Sequence, residues 1–266
     1  MEIKLWKEVL MPYSLAVDEL VIKFNHVKQA FEKQGLYSPI YAVSGRVKSI
    51  SSILEKVMRK KLSLDNFEDG VTDIAGIRII CQFHDDCYKV AEVIKNRTDM
   101  MVIEENDYIT NPKESGYRSY HLLVKYVVQL LEGPREIIAE IQIRTMGMNC
   151  WSTIEHSLQY KFKEKMPDDI KKTLQDAANK ILVSEIEMSK VRDEVMSAMS
   201  TREEEDSLIS DILITIINIY QNASRREAVR IQDEFLEIYS TGNMEKLKHF
   251  AAELDVIAEG YGQQSI

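Results

Sequence analysis

The sequence predicts a mixed α/β (α+β) fold with a helical C-terminal extension. Three observations predict it. Several stretches alternate apolar and polar residues with a period of two, as a sheet with one buried face requires. Segments of helical period run between them. The last third of the chain loses the alternation and keeps only the helical pattern. Only 5 prolines and 10 glycines punctuate 266 residues, so long regular elements are expected.

In chain order, residues 14–34 read as an amphipathic helix ending near Gly35, and Ser38-Pro39 opens a connection. A second helix is expected from near Gly45 through Lys60. Ala75–Phe83 reads as a strand and 85–97 as a helix, with Asp85 as its N-cap. Met100–Ile109, Tyr117–Leu130 and Arg135–Thr145 read as three further strands. Glu132-Gly133-Pro134 is the turn that makes the last two antiparallel. Helices follow over 146–163 and 168–199. Thr201-Arg-Glu-Glu204 matches a capping box and is expected to open a new apolar helix, which carries Leu208, Ile209, Ile212 and Ile216. Two more helices, 223–240 and 243–259, are separated at Gly242-Asn243. The division expected is one domain over 1–200 and a helical extension over 201–266.

The chain is 45% hydrophobic, enough for a sizeable core. Its net charge of −9 argues against DNA or general nucleic-acid binding, which needs a basic surface. A single nucleotide needs only local positive charge. Cys81, Cys87 and Cys150 are scattered, as expected of reduced thiols in a cytoplasmic protein. No signal-peptide pattern or membrane-length apolar run is visible.

Positive charge is concentrated in residues 45–61, where Arg46, Lys48, Lys56, Arg59, Lys60 and Lys61 stand against Glu55. On a helix, Ile50, Ile53, Leu54, Val57 and Met58 form an apolar stripe. Lys48, Ser52, Lys56 and Arg59 gather opposite. A solvated face would normally explain such a helix. Glu55 is, however, the only carboxylate near these cations, and a cluster of cations with so few partners suits a triphosphate. Asp73 lies just before the Ala75 strand, and Arg78 alternates away from Ile77 and Ile79. Alone, Asp73 could cap a turn. Paired with Glu140 on a neighbouring strand, it could hold Mg²⁺, which takes oxygen ligands and binds phosphates alongside protein acids.

Pro112–Tyr126 carries Lys113, a loop glycine at Gly116, and then Tyr117, Ser119 and His121 on one expected strand face. A tyrosine beside a cation and a histidine suits a stacked base with phosphates nearby. An ordinary amphipathic strand is the alternative. The side of Arg135–Thr145 that carries Glu140, Gln142 and Arg144 is either a solvated face or the floor of a site.

Four blocks in this order and spacing resemble the synthetase domain of RelA/SpoT homologues: GRVKSISSILEKVMRK, TDIAGIRII, PKESGYRSYH and EIQIRTMGMNCWSTIEHSLQYK. The length is most similar to the small alarmone synthetases. The resemblance covers about residues 1–195. It implies a nucleotidyltransferase-like mixed β-sheet flanked by helices. It also implies transfer of the β,γ-pyrophosphate of ATP to the ribose 3′-OH of GDP or GTP, with Mg²⁺ as cofactor and AMP as co-product. Carried onto this chain, Arg46, Lys48, Lys56 and Arg59 would hold the ATP phosphates, and Arg46 and Arg78 would sandwich adenine. Asp73 and Glu140 would bind the metal, and Glu140 would help deprotonate the 3′-OH. Tyr117 would stack on guanine, Asn149 would bond its edge, Lys113 and His121 would hold acceptor phosphates, and Gln142 would line the floor. Asn106 stands where family members commonly carry a basic residue. A homo-oligomer is implied too, since some relatives are tetramers, as is regulation by single-stranded RNA.

Other readings compete. His84-Asp85 is an HD dipeptide of the kind found in metal phosphohydrolases, but no upstream partner ligands accompany it, so synthesis without hydrolysis is expected. A non-catalytic nucleotide sensor or an RNA-binding regulator would not need both Asp73 and Glu140. Transfer to an adenine acceptor is a third reading. His156, among Trp151, Ile154 and Leu158, is expected to be a packed, hydrogen-bonded imidazole.

Overall fold

A computed structural model of the chain describes residues 6–64, 66–161, 167–222 and 225–262. The chain divides into two compact units, Met1–Lys190 and Val191–Ile266.

The first unit is built on a five-stranded mixed sheet. Its strands are β1 (Ala42–Val47), β2 (Ala75–Cys81), β3 (Met101–Asp107), β4 (Tyr120–Leu130) and β5 (Gly133–Thr145), ordered β1-β2-β5-β4-β3 across the sheet. β2 and β5 run parallel at the centre and the other pairs are antiparallel. The β4–β5 hairpin turns tightly between Leu130 and Gly133, which are register partners, and Gly133 adopts φ +121° there.

Helix α1 (Trp6–Lys33) buries Tyr13, Ala16, Val17, Leu20 and Phe24, the i, i+3, i+4 stripe of an amphipathic helix laid on a sheet. It packs against β1, β2, β5 and β4. The core beneath it includes Ile77, Ile79, Leu122, Val124, Ile141 and Ile143, all at most 1% exposed. Helix α2 (Ile50–Lys60) is capped by Ser49, whose Oγ accepts from Ser52 N. Its apolar face narrows to Ile53 and Val57; Ile50 and Met58, expected on that stripe, are exposed. The short α3 (Phe67–Gly70) and then α4 (Asp86–Lys95) follow, with α4 lying against β4 and β5.

Three expectations are corrected. Residues 42–47 form strand β1 and not a helix start, because pairing with β2 satisfies the backbone of a stretch with little intrinsic pattern. Gly45 sits on that strand where α1 crosses: an added Cβ would meet Val17 Cγ1 at 2.6 Å and Val21 Cγ2 at 2.8 Å. The glycine therefore serves helix-on-sheet packing. Tyr117 and Ser119 precede β4 and do not lie in it. Asp85 occupies the N-cap position of α4, but its side chain makes no cap hydrogen bond and reaches Lys89 at 2.8 Å.

Helix α5 (Met146–Lys161) starts where β5 ends; residues 162–163, expected to continue it, lie outside the described part. Its first turn is held twice. Met148 N donates to Thr145 Oγ1 at 3.0 Å, and Gly147 N donates to Glu185 Oε1 at 3.0 Å. Glu185 comes from α6 (Asp168–Asn222), a single helix of 55 residues. The capping-box pattern at Thr201 therefore lies inside a helix, since residues 168–222 contain neither glycine nor proline to stop one. In the second unit, the C-terminal part of α6 joins α7 (Arg225–Ser240) and α8 (Met244–Gly262). They share a core of Ile212, Ile216, Ile231, Phe235, Leu247 and Phe250, and Gly242 turns the chain between α7 and α8 at φ +61°.

Candidate active site

Residues paired directly across a sheet point to the same side. The register therefore aligns Ser44, Arg78, Gln142, His121 and Asn106 in one row over β1, β2, β5, β4 and β3. The adjacent row carries Arg46, Gly76 and Glu140. The alternation of β5 thus puts Ile141 and Ile143 into the core and leaves Glu140, Gln142 and Arg144 on a polar floor.

An open cleft of about 170 Å³ lies over this floor, lined by Arg46, Asp73, Gly76, Arg78, Glu140 and Gln142. Two further hollows share its walls. One reaches Tyr117, Arg144, Ser152 and His156 through Arg46, Arg78 and Gln142. The other reaches Lys48, Ser52, Lys56, Arg59 and His156 through Asp73. The structure therefore places Arg46, Lys48, Lys56, Arg59, Asp73, Arg78, Tyr117, Glu140 and Gln142 around one continuous depression.

Asp73 and Glu140, from separate segments, face the same cleft. Asp73 lies in the turn before β2, with Lys48 Nζ 2.9 Å from Oδ2 and Lys56 Nζ 2.8 Å from Oδ1. Burial pushes its carboxyl up, but the Lys56 and Lys48 ammonium groups more than offset this and hold it below the usual aspartate range. Lys56 of α2, and Lys48 just before its cap, thus find an acid across the fold. Lys56 approaches Asp73 Oδ1 without the alignment of a hydrogen bond, so this buried oxygen keeps a lone pair without a directed donor.

Glu140 is also held ionised. Burial again opposes charge, and His121, Gln142 and their hydrogen bonds outweigh it even with Asp73 nearby. His121 Nδ1 lies 3.2 Å from Glu140 Oε1, and Gln142 Nε2 donates to Oε2 at 2.6 Å. Two ionised carboxylates on one cleft supply hard oxygen ligands.

Arg46 and Arg78 stand on adjacent antiparallel strands of the floor. Burial lowers the Arg78 pKa, and the like charges of Arg144 and Arg46 add to it. Arg78 Nε is buried without a hydrogen-bond partner. Two guanidinium groups of like charge lining one cleft favour an anionic ligand there.

At the other end, Lys113 Nζ lies 4.6 Å from the Tyr108 ring centroid and 5.0 Å from that of Tyr117. Gly116, at φ +90°, closes the loop between them. A Cβ there would meet Gln175 Cα of α6 at 3.0 Å, so the loop is pressed against that helix. Tyr117 OH contacts His121 Nε2 at 2.8 Å, and burial raises the Tyr117 phenol pKa. Asn149 lies one turn before Ser152 and Thr153 on α5, with its Oδ1 buried and unpartnered. Asn106 bonds Glu104 Oε1 at 2.8 Å.

His156 corrects another expectation. It is exposed and lines two of the hollows, because the apolar residues used to place it, Ile154 and Leu158, do not form a buried stripe; only Trp151 is buried. Arg144, Ser152, Glu155 and His156 complete the lining; all four lie in the EIQIRTMGMNCWSTIEHSLQYK block, and Arg144 also stands on the polar side of β5.

The family model described as "Region found in RelA / SpoT proteins" matches residues 45–165. The GTP pyrophosphokinase YjbM of Bacillus subtilis (strain 168) is 46% identical over 200 residues, covering 75% of this chain and 94% of that protein. The GTP pyrophosphokinase YwaC of the same organism is 38% identical over 175 residues, covering 65% of this chain and 83% of that protein. The crystal structure of small alarmone synthetase 1 from Bacillus subtilis bound to its product pppGpp superposes with a TM-score of 0.69 at 46% identity, over 72% of this chain and 98% of that one. The chain belongs to the RelA/SpoT synthetase family, among its small alarmone synthetases.

Proposed function

We propose that this chain transfers the β,γ-pyrophosphate of ATP to the ribose 3′-OH of GDP or GTP, releasing AMP and forming ppGpp or pppGpp. The observation that carries the reading is the meeting of Asp73 and Glu140 on one cleft, with cations at one end and an aromatic platform at the other.

Such a transfer asks the protein for alignment and charge stabilisation more than for covalent chemistry. Lys48, Lys56 and Arg59 hold the donor phosphates, and Arg46 and Arg78 enclose adenine. Tyr117 stacks on guanine, Asn149 bonds its edge, Lys113 and His121 hold acceptor phosphates, and Gln142 lines the floor. Asp73 and Glu140 are the residues that would hold Mg²⁺, which when bound neutralises charge on the transferred group. Without nucleotide, Asp73 is neutralised by Lys48 and Lys56; phosphates compete for those same lysines, freeing the carboxylate. Glu140, kept ionised by its donors, takes the 3′-OH proton as that oxygen bonds to the β-phosphorus and the bond to the α-phosphate oxygen breaks.

Incubation with labelled ATP and GDP, resolved by thin-layer chromatography, tests the reading: labelled guanosine tetraphosphate with AMP supports it. ADP and GDP supplied in competition distinguish a guanine from an adenine acceptor. No helix of the described residues is long and apolar enough to cross a membrane, and the nucleotide substrates fit a cytoplasmic enzyme. A homo-oligomer is expected from the resemblance, and light scattering measures it. Filter binding with single-stranded RNA tests the regulation expected from the resemblance.

A further inference from the structure

Arg144 is 4% exposed and reaches four partners on three segments. Nη2 donates to Tyr117 OH at 2.5 Å and to Gln142 Oε1 at 2.6 Å. Nη1 donates to Ser152 Oγ at 3.0 Å, and Nε to Ser119 Oγ at 3.3 Å. The guanidinium also lies 5.0 Å from the Tyr117 ring centroid. With the contacts around Glu140, these bonds close a ring: Arg144, Tyr117, His121, Glu140, Gln142 and back to Arg144.

The ring has a direction. A guanidinium has donors and no acceptor. Tyr117 OH therefore accepts from Arg144, which leaves its own proton available to donate to His121 Nε2, 2.8 Å away. A ring that accepts at Nε2 carries its proton on Nδ1, where it donates to Glu140 Oε1. On the other arm, Gln142 turns its Oε1 to Arg144, so its amide nitrogen faces Glu140 Oε2. At the far end an ionised carboxylate only accepts, so His121 Nδ1–H and the Gln142 amide nitrogen are the donors that the two oxygens of Glu140 meet.

We infer that Arg144 is a positioning residue: as a donor-only hub it orients Tyr117 and Gln142 so that both arms of the ring end as donors on Glu140. It thereby couples the aromatic platform to the acid that receives the 3′-OH proton. The inference rests on the proposed roles of Tyr117 and Glu140, whereas the hydrogen-bond polarity itself needs no reaction.

The test compares R144K, which keeps a donor-only group, with R144Q, which introduces an acceptor. In the nucleotide-free protein, ¹⁵N shifts of the His121 ring should report the Nδ1–H tautomer for wild type and R144K, and lose it in R144Q. In steady-state assays R144Q should lower kcat on the order of tenfold to a hundredfold, the scale of a misaligned reacting group. R144K should recover part of that loss, and KM for ATP should stay within about threefold in both. Equal loss in R144K and R144Q with an unchanged His121 signature would overturn the inference and leave Arg144 a packing residue. A rise in the KM for ATP alone would overturn it too. If neither variant folds, Y117F breaks one arm while keeping the ring: the His121 signature must then change, and its persistence refutes the inference. A protein that shows the tautomer change but no pyrophosphoryl transfer would refute the proposed function and leave the polarity of the ring standing.

Discussion

Lys56 Nζ stands 2.8 Å from Asp73 Oδ1, so a helix and a turn separated by 17 positions meet in an ion pair at the cleft. With Lys48 on the other oxygen, the lysines that resemble phosphate ligands are held by the acid that resembles a metal ligand. The substitution Asp73→Asn should separate these roles. Without Mg²⁺, titration calorimetry should find ATP bound at least as tightly as by wild type, because both lysines are released. With Mg²⁺, transfer should fall roughly a hundredfold or more. Weaker ATP binding by D73N in the absence of metal would contradict this account of the ion pairs.

Glu140→Gln keeps a side chain of the same shape but cannot take the 3′-OH proton. Nucleotide dissociation constants should change by less than about fivefold, while single-turnover transfer falls by about 10² to 10⁴. A near-normal rate would remove Glu140 from the proton transfer.

Gly45→Ala places a methyl group against Val17 and Val21 on a face where α1 crosses β1. The helix must shift or the side chains must leave their rotamers, costing about 1–3 kcal/mol. Urea unfolding of the first unit should report the loss. Arg46, next along the same strand, should move with it and raise the KM for ATP. Gly76→Ala is the control: the nearest atom to its added Cβ would be 3.6 Å away, so stability should hardly change.

Glu185 predicts a pH dependence. Burial raises its pKa, and the bonds from Thr145, Gly147 N and Met148 N offset this only in part. The folded protein therefore holds this proton more tightly than the unfolded chain. The stability it contributes is present below the ordinary glutamate range and is lost as pH rises through the raised value. Glu185→Gln keeps an acceptor for Gly147 N and cannot ionise. Relative to wild type, the variant should gain stability as pH is raised from about 4 to 8, as read by thermal melts across that range. A difference that is flat with pH would refute the assignment.

The period-two pattern of Arg135–Thr145 was enough to place Glu140, Gln142 and Arg144 on one side, because alternation is a local property of a strand. The β4–β5 hairpin and the cationic face of α2 were legible for the same reason. Strand β1 was not, since its six residues carry no alternation and owe their conformation to hydrogen bonds with β2. His156 was misjudged because the burial of a helix face depends on what lies opposite, and here that is a cleft. Nor could the sequence show that Thr201 lies within a helix. A capping pattern only offers a start, and the turns before it were already helical.

The sequence by itself determined which residue types stand at which spacing, and hence the sheet, its polar side and the family to which the chain is similar. Only the tertiary structure decided that Lys48 and Lys56 close on Asp73, and that Arg144 ties Tyr117 to Glu140 through His121 and Gln142. Those contacts join segments far apart in the chain, and their directions follow from register and from which groups can donate. Neither is encoded in a local period.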